Sequence, residues 1–174
     1  MPGDLIRNLP RERLLEFVSD AAKRWLAHDG LWFQAVERAH GIDEAMARDA
    51  EAWQGFAPLE ARRILSFLGR EPGGGLDLLE VALGYRLYAL INEQEAVREG
   101  PGRLVFRMSA CRVQEARRRK GLPDFPCRPV GEVEYAEFAR AVDPRIATRC
   151  LACPPGPLLP GCFCAWEFTL GAAR

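Results

Sequence analysis

The distribution of cysteine is the feature that most constrains how this chain can fold. The first 110 residues contain no cysteine, and all six lie in the segment that follows: Cys111, Cys127, Cys150, Cys153, Cys162 and Cys164. Cysteines that served only as small buried residues would be scattered along the 174-residue chain. We therefore expect segment 111–164 to form a unit that is held together by a cysteine-ligated metal ion.

The spacing within this segment is typical of thiolates that converge on a metal. Cys150 and Cys153 form a C-x-x-C pair, and Cys162 and Cys164 follow after a loop rich in proline and glycine. A C-x-x-C turn lets two sulfur atoms reach one ion. Two ligand sets stay open. Local spacing favours Cys150, Cys153, Cys162 and Cys164, whereas the preferred set is Cys111, Cys127, Cys164 and either Cys150 or Cys153.

Several chemistries fit these thiols. Zinc is the leading cofactor because it is the metal found more often in closed structural sites. An iron–sulfur cluster is the alternative, because four thiolates can bind either. Buried free thiols without a metal are a further possibility, since at least two of the six are surplus to a four-coordinate ion. A redox C-x-x-C is less favoured, because Pro154 and Pro155 follow Cys153 where such motifs normally open a helix.

Helical periodicity dominates the first hundred residues. Apolar spacing and Gly/Pro stops predict helices over 10–27, 30–40, 43–56, 58–69 and 76–97, with Asp29 capping the second. After Gly102 the pattern changes to strands over 103–109, 146–150 and 163–170, with helices over 112–120 and 131–142 between them. Side chains two apart in the last strand share a face, so Cys162, Cys164, Trp166 and Phe168 should point the same way.

These elements predict an α+β fold in which a helical N-terminal layer packs on a small antiparallel sheet with interspersed helices. We expect a helical region over 1–100 and a cysteine-rich α+β metal-binding unit over 101–174, together forming one compact domain. Basic and acidic residues balance at 24 each, so the chain has no net field for nucleic acid or an anionic membrane. The start of the sequence lacks the apolar core of a secretory leader, and we expect a cytoplasmic protein.

Other residues could carry chemistry. His28 and Asp29 could bind a metal, act as a catalytic pair or contact a bound polar group, although ending one helix and capping the next explains them slightly better. Glu132, Glu134 or Glu137 could complete a Cys/Glu metal site. Aromatic residues could line an apolar ligand pocket or fill the core: Trp25, Trp32, Phe33, Trp53, Phe56, Tyr85, Tyr88 and Phe106.

Three blocks of sequence, HDGLWF, CRVQEARRRKGLPDFPC and DPRIATRCLACPP followed by FCAWEF, resemble a family of uncharacterised cytosolic proteins of anaerobic bacteria. Segment 103–170 is also distantly similar to the L-2-amino-thiazoline-4-carboxylic acid hydrolase family and to sensor domains of the vinyl-reductase type, which can hold zinc through cysteines and a carboxylate. That resemblance implies Cys111, Cys127, Cys150 and Cys164 as the matching cysteines. Cys153 and Cys162 are additional to its pattern, and GCFCAWEF lacks its usual glycine–acidic–cysteine ending.

The leading functional hypothesis is a metal-stabilised domain that binds a small molecule, as a sensor or accessory protein. A metal-dependent hydrolase that uses His28, or an iron–sulfur redox protein, is the alternative from another class. The sequence predicts neither nucleic acid nor membrane as a partner, and it is compatible with a homodimer.

Overall fold

The computed structural model describes residues 4–171, which form six α-helices and one four-stranded sheet. The helices are α1 (Asp4–Arg7), α2 (Arg11–His40), α3 (Ile42–Leu68), α4 (Gly75–Gly84), α5 (Arg112–Arg119) and α6 (Arg128–Val142). The strands are β1 (Glu93–Arg98), β2 (Arg103–Ala110), β3 (Ile146–Ala152) and β4 (Cys164–Leu170). The predicted α+β class, with helices first and an antiparallel sheet in the C-terminal half, is confirmed.

The N-terminal layer consists of two long helices where the sequence predicts four short ones. Helix α2 continues through Asp29 and Gly30, so the predicted cap at Asp29 is wrong. An interior glycine costs a helix only about 1 kcal/mol. That cost is outweighed because aromatic residues anchor both halves: Trp25 packs on Trp53 of α3, and Phe33 packs on Phe125.

Helix α3 likewise continues through Pro58, where the sequence predicts a boundary. A proline inside a helix removes one backbone hydrogen bond and costs about 3 kcal/mol. The buried stripe of α3 runs unbroken across this position, through Trp53, Ala57, Ala61 and Ile64. Packing of that stripe, most extensively against α6, therefore overrides the local preference.

The predicted helix over 76–97 is also wrong. Helix α4 ends at Gly84, a 3₁₀ turn follows at Leu87–Leu90, and the chain then enters β1. Strand β1 pairs antiparallel with β2 through the turn around Gly100, so a strand from the region expected to be helical completes the sheet edge. Partnership with β2 decides the conformation here, because strand formation depends on the neighbouring strand more than on local preference.

The sheet has the order β1-β2-β4-β3 with every neighbour antiparallel. The three strands predicted after residue 102 are confirmed, as are the two helices between them. Cys164, Trp166 and Phe168 are all buried at alternating positions of β4, as expected. Cys162 precedes the strand, so its predicted place on the same strand face is wrong.

Helix α6 lies between α3 and the sheet and forms the centre of the core. Trp166 of β4 is 1% exposed; its ring stacks on Tyr135 at 4.7 Å and lies directly against the backbone of Gly131. This close approach is possible because position 131 has no side chain. None of the helices within residues 4–171 is long and apolar enough to cross a bilayer.

The contact between α6 and β4 generates a stability prediction. A Cβ at position 131 would lie 2.5 Å from Cζ2 of Trp166, so Gly131→Ala forces the indole or the helix to move. We expect the free energy of unfolding to fall by about 1–3 kcal/mol in urea denaturation followed by circular dichroism.

Gly55→Ala is the matched control for this substitution. Gly55 lies within α3, and a Cβ there meets no atom within 4 Å. Alanine should leave stability unchanged or raise it by up to about 1 kcal/mol through its better helix propensity. Equal stability of the two variants would contradict the packing described for Trp166.

Candidate functional site

A cavity of about 390 Å³ lies between the helical layer and the sheet. Its walls come from α2, α3, α5 and α6, from Tyr88, and from the ends of β2 and β4. Its volume falls in the range of about 300–1,000 Å³ that is usual for small-molecule sites. The cavity is therefore large enough to take an organic ligand.

Four of the six cysteines line this cavity, and each arrives from a different part of the chain. Cys111 directly follows β2, Cys127 directly precedes α6, Cys153 directly follows β3, and Cys164 opens β4. Strand ends and helix starts place them because β2, β3 and β4 are neighbours in the sheet and α6 packs across it. The fold thus gathers thiols that are as far as 53 positions apart in sequence, from 111 to 164.

Three of these four sulfur atoms are in contact, and the fourth lies nearby. The Sγ atoms of Cys127 and Cys153 lie 3.0 Å apart. The thiol of Cys153 also contacts that of Cys164, and Cys111 is close enough to both Cys127 and Cys164 to affect its own ionisation. We call Cys111, Cys127, Cys153 and Cys164 the thiol cluster.

Burial and mutual contact govern the ionisation of the thiol cluster. Burial raises the pKa of Cys111 to about 12. Hydrogen bonds with Cys127 and Cys164, followed by burial, raise the pKa of Cys153 well above its ordinary value. The contact with Cys153 has the opposite effect on Cys164 and lowers its pKa. Without a cation nearby, Cys111 and Cys153 therefore hold their protons at neutral pH.

Two N–H donors point at sulfur atoms of the cluster. Nε2 of Gln114 lies 3.7 Å from Sγ of Cys127, and the same side chain holds the backbone of Phe125 through bonds of 2.8 and 2.9 Å. The indole N–H of Trp166 lowers the pKa of Cys164 yet makes no full hydrogen bond, although it is buried. A thiol is a weak acceptor, so this donor stays unsatisfied unless the sulfur is ionised.

Cys150 and Cys162 lie apart from the cavity wall. Cys150 is opposite Trp166 in the sheet and lines a separate depression near Arg128 and Glu132. Cys162 is partly exposed in the loop before β4, where its thiol is 3.8 Å from the carbonyl oxygen of Leu159. Only Cys153 of the C-x-x-C pair and Cys164 of the close pair therefore line the cavity. Cys150 is nevertheless close enough to Cys127 and Cys164, and Cys162 close enough to Cys164, to affect its own ionisation.

Within residues 4–171, no three Cys, His, Asp or Glu side chains stand ready to enclose a metal ion. Tetrahedral zinc with bonds of about 2.3 Å sets its sulfur ligands roughly 3.7 Å apart. The Cys127–Cys153 separation of 3.0 Å is shorter than this. Metal binding would thus require these two sulfur atoms to move apart by somewhat less than 1 Å.

Carboxyl groups from three helices form another part of the wall: Asp29 of α2, Asp49 of α3 and Glu134 of α6. Burial raises the pKa of all three, and the neighbouring charges of Asp29 and Glu134 help to raise that of Asp49 to about 7. His28 is exposed and does not line the cavity. Of the candidate catalytic pair, the structure therefore brings only Asp29 to the site.

A buried ion cluster supports this wall from behind. The guanidinium of Arg86 is 2.9 Å from the carboxylate of Glu60 and 2.7 Å from that of Glu134. The pair with Glu134 lacks the alignment of a full hydrogen bond. Burial alone would lower the pKa of Arg86, but the two carboxylates raise it above its ordinary value. Glu134 is therefore committed to a structural pair, unlike Glu132 and Glu137, which form ion pairs with Arg128 and Arg140 of their own helix.

The aromatic residues divide between the cavity and the core. Phe33, Trp53 and Tyr88 line the cavity. Trp25 and Phe56 pack behind them, and Phe106 belongs to the core of the sheet. Trp32 and Tyr85 are exposed. Only part of the predicted aromatic pocket is thus assembled.

Basic residues surround the mouth of the cavity. Lys23, Arg112, Arg119 and Lys120 line it and are exposed to solvent. Arg117 is buried instead and makes a two-armed ion pair with Glu37 at 2.7 and 2.8 Å, which ties α5 to α2. The run of basic residues at the end of α5 is therefore partly structural.

Sequence reasoning missed Asp49, Arg86 and Gln114. Asp49 lies four residues from Trp53, on the buried side of α3, so an acid interrupting an apolar stripe was the available signal. Arg86 stands in the apolar run LGYRLY, which gave a similar hint. Gln114 carried no signal, because its partner Phe125 is defined only by the tertiary fold.

The placement of the cysteines predicts their order of alkylation. In metal-free, reduced protein at pH 8, iodoacetamide should modify Cys150 and Cys162 before Cys111 and Cys153, which burial and high pKa values protect. Peptide mass spectrometry over a time course measures this order. Unfolding the protein in urea should make all six react at similar rates; early modification of Cys153 in the folded protein would contradict the placement.

The geometry can be set beside known proteins. No curated protein and no solved structure gives a significant match to this chain. A family model does match, and it spans residues 7–170, which include the cavity and all six cysteines. The predicted resemblance to an uncharacterised family is confirmed to that extent. The chain therefore belongs to the family described as a family of unknown function (DUF6125).

Proposed function

We propose that this chain is a cytoplasmic metal-binding protein in which the thiol cluster holds a zinc ion at the wall of a cavity for a small-molecule ligand. The observation that carries the proposal is the convergence of Cys111, Cys127, Cys153 and Cys164 on one cavity from four separate chain segments. A ligand in the cavity would lie beside the metal, so each could affect the binding of the other. That coupling suits a sensor or accessory protein.

The donor set fits a thiophilic metal. Four cysteine sulfurs are the ligands of many closed zinc sites. Ionised sulfur accepts hydrogen bonds well, so metal binding would also satisfy the buried indole N–H of Trp166 and strengthen the contact from Gln114 to Cys127. An iron–sulfur cluster is compatible with the same four thiolates and is distinguished by its colour.

Metal binding at the thiol cluster would be coupled to the release of thiol protons. Without metal, Cys111 and Cys153 keep their protons, because burial raises the pKa of Cys111 and the contacts with Cys127 and Cys164 raise that of Cys153. Metal binding replaces those protons with a cation, so affinity rises with pH. The proposal places Cys153 where the distant family resemblance implies Cys150, since Cys153 lines the cavity and Cys150 does not.

Thiol oxidation is a second candidate, and the 3.0 Å contact between Cys127 and Cys153 favours it. A disulfide between them requires their sulfurs to close to about 2.05 Å and passes two protons and two electrons to an oxidant such as a small disulfide. The hydrolase alternative keeps Asp29 as its candidate, because His28 lies outside the cavity.

Metal analysis of variants tests the proposal. Protein purified without oxygen should contain about one zinc per chain and no visible absorption. Cys127→Ser and Cys153→Ser should each lose most of the metal, because either change removes one of the four thiolates. They should also lower the free energy of unfolding, because metal binding stabilises the folded state.

Cys150→Ser and Cys162→Ser are the matched controls, since neither thiol lines the cavity. Both should keep the wild-type metal content. A brown protein with acid-labile sulfide would show that the site holds an iron–sulfur cluster and not zinc. The disulfide would be favoured over the metal site by two results together. The purified protein would contain neither metal nor sulfide, and mild oxidation would consume two thiols in the wild type but not in Cys127→Ser.

A further inference from the structure

The carboxyl wall of the cavity has more negative charge than its surroundings balance. Asp29 and Asp49 face the cavity, and neither forms an ion pair with another residue in the described part of the chain, although the indole N–H of Trp53 donates a hydrogen bond to Asp49. Arg86 is the nearby buried cation, and Glu60 and Glu134 already engage it at 2.9 and 2.7 Å. With every group ionised, these four carboxylates and one guanidinium leave three negative charges in excess.

An excess of buried negative charge is costly unless a proton or another cation offsets it. Protonation is one answer, and burial together with Asp29 and Glu134 brings the pKa of Asp49 to about 7. A bound cation is the other. At neutral pH both are available to Asp49, so a cationic ligand would bind its ionised form and displace part of its protonation.

An independent polar group on the same wall is without a partner. Tyr135 is 5% exposed and lines the cavity, and its hydroxyl makes no hydrogen bond to any residue between 4 and 171. This hydroxyl is not fully enclosed by protein atoms, so it lies at the surface of the cavity, where it can donate or accept a hydrogen bond. A ligand in the cavity that carries an N–H or an oxygen would supply one.

The neighbouring rings already accommodate an organic cation. The guanidinium carbon of Arg86 lies 5.4 Å from the ring centroids of both Trp53 and Tyr88, within the range of cation–π attraction. The same two rings line the cavity. The wall thus combines carboxylates with aromatic surface, which together suit an ammonium group on an apolar molecule.

Two observations argue against an inorganic or highly charged cation. Asp29, Asp49 and Glu134 are not arranged to hold a metal ion. No group of three Cys, His, Asp or Glu residues between positions 4 and 171 has such an arrangement. The basic mouth formed by Lys23, Arg112, Arg119 and Lys120 disfavours entry of a polyamine. A single positive charge on a mostly apolar body meets less repulsion at the mouth than several charges would, and it suits the carboxylates and rings of the wall.

We propose that the cavity binds a small, largely apolar monoamine in its protonated form, with Asp29 and Asp49 holding the ammonium group beside Trp53 and Tyr88. This inference rests on the proposed function only in placing the ligand in that cavity. It identifies the chemical class of the ligand and does not depend on which metal the thiol cluster binds.

Calorimetric titration with matched probes tests the inference. At pH 7.5, 2-phenylethylamine should bind at least about tenfold more tightly than 2-phenylethanol, which has the same apolar body and a neutral hydroxyl, since one paired charge contributes about 1.4 kcal/mol or more. Asp29→Asn and Asp49→Asn should each weaken amine binding about tenfold and leave alcohol binding unchanged. Thermal unfolding of each variant verifies that it is folded.

Asp43→Asn is the control, because Asp43 is an exposed acid on the same helix as Asp49. It should bind the amine as wild type does. Equal affinity for amine and alcohol, full amine binding by Asp49→Asn, or displacement of the amine by millimolar magnesium chloride would overturn the inference.

Metal content measured on the same samples separates the two proposals. Selective amine binding by protein that contains no metal would refute the zinc site and support the monoamine. Metal-loaded protein that does not distinguish amine from alcohol would refute the monoamine and leave the zinc site standing.

Discussion

A buried guanidinium connects the layers of this fold. Arg86 pairs with Glu60 of α3 and Glu134 of α6, and the rings of Trp53 and Phe138 lie within 5.4 Å of it. Removing one member of such a pair typically costs about 3–5 kcal/mol, because the remaining charge stays buried without compensation. The helical wall of the cavity is therefore positioned by electrostatics, and its carboxylates derive their raised pKa values from the same burial.

The opposite wall is positioned by packing. Trp166 can lie against α6 only because residue 131 is glycine, and this close approach sets the height of the helix above the sheet. The start of α6 carries Cys127, and β4 carries Cys164, so the same contact brings two of the thiols together. Stability and site geometry consequently depend on one contact between a strand and a helix.

The sequence predicts the second half of the fold better than the first. Strands β2, β3 and β4 show alternation and clear turn residues, and their prediction is confirmed. The helix boundaries at Asp29 and Pro58 were wrong because tertiary packing overrode local breakers, and β1 was missed because only its partner strand makes it a strand. Local rules describe a segment by itself, whereas these outcomes depend on residues distant in sequence.

The same limit applies to the site. Cysteine clustering located the region, and spacing paired Cys150 with Cys153, of which only Cys153 lines the cavity. X-ray absorption at the zinc edge tests the central claim most directly. The account predicts four sulfur ligands at about 2.3 Å in the wild-type protein and the same shell in Cys150→Ser. A shell of nitrogen and oxygen ligands, or loss of a sulfur in Cys150→Ser, would contradict it.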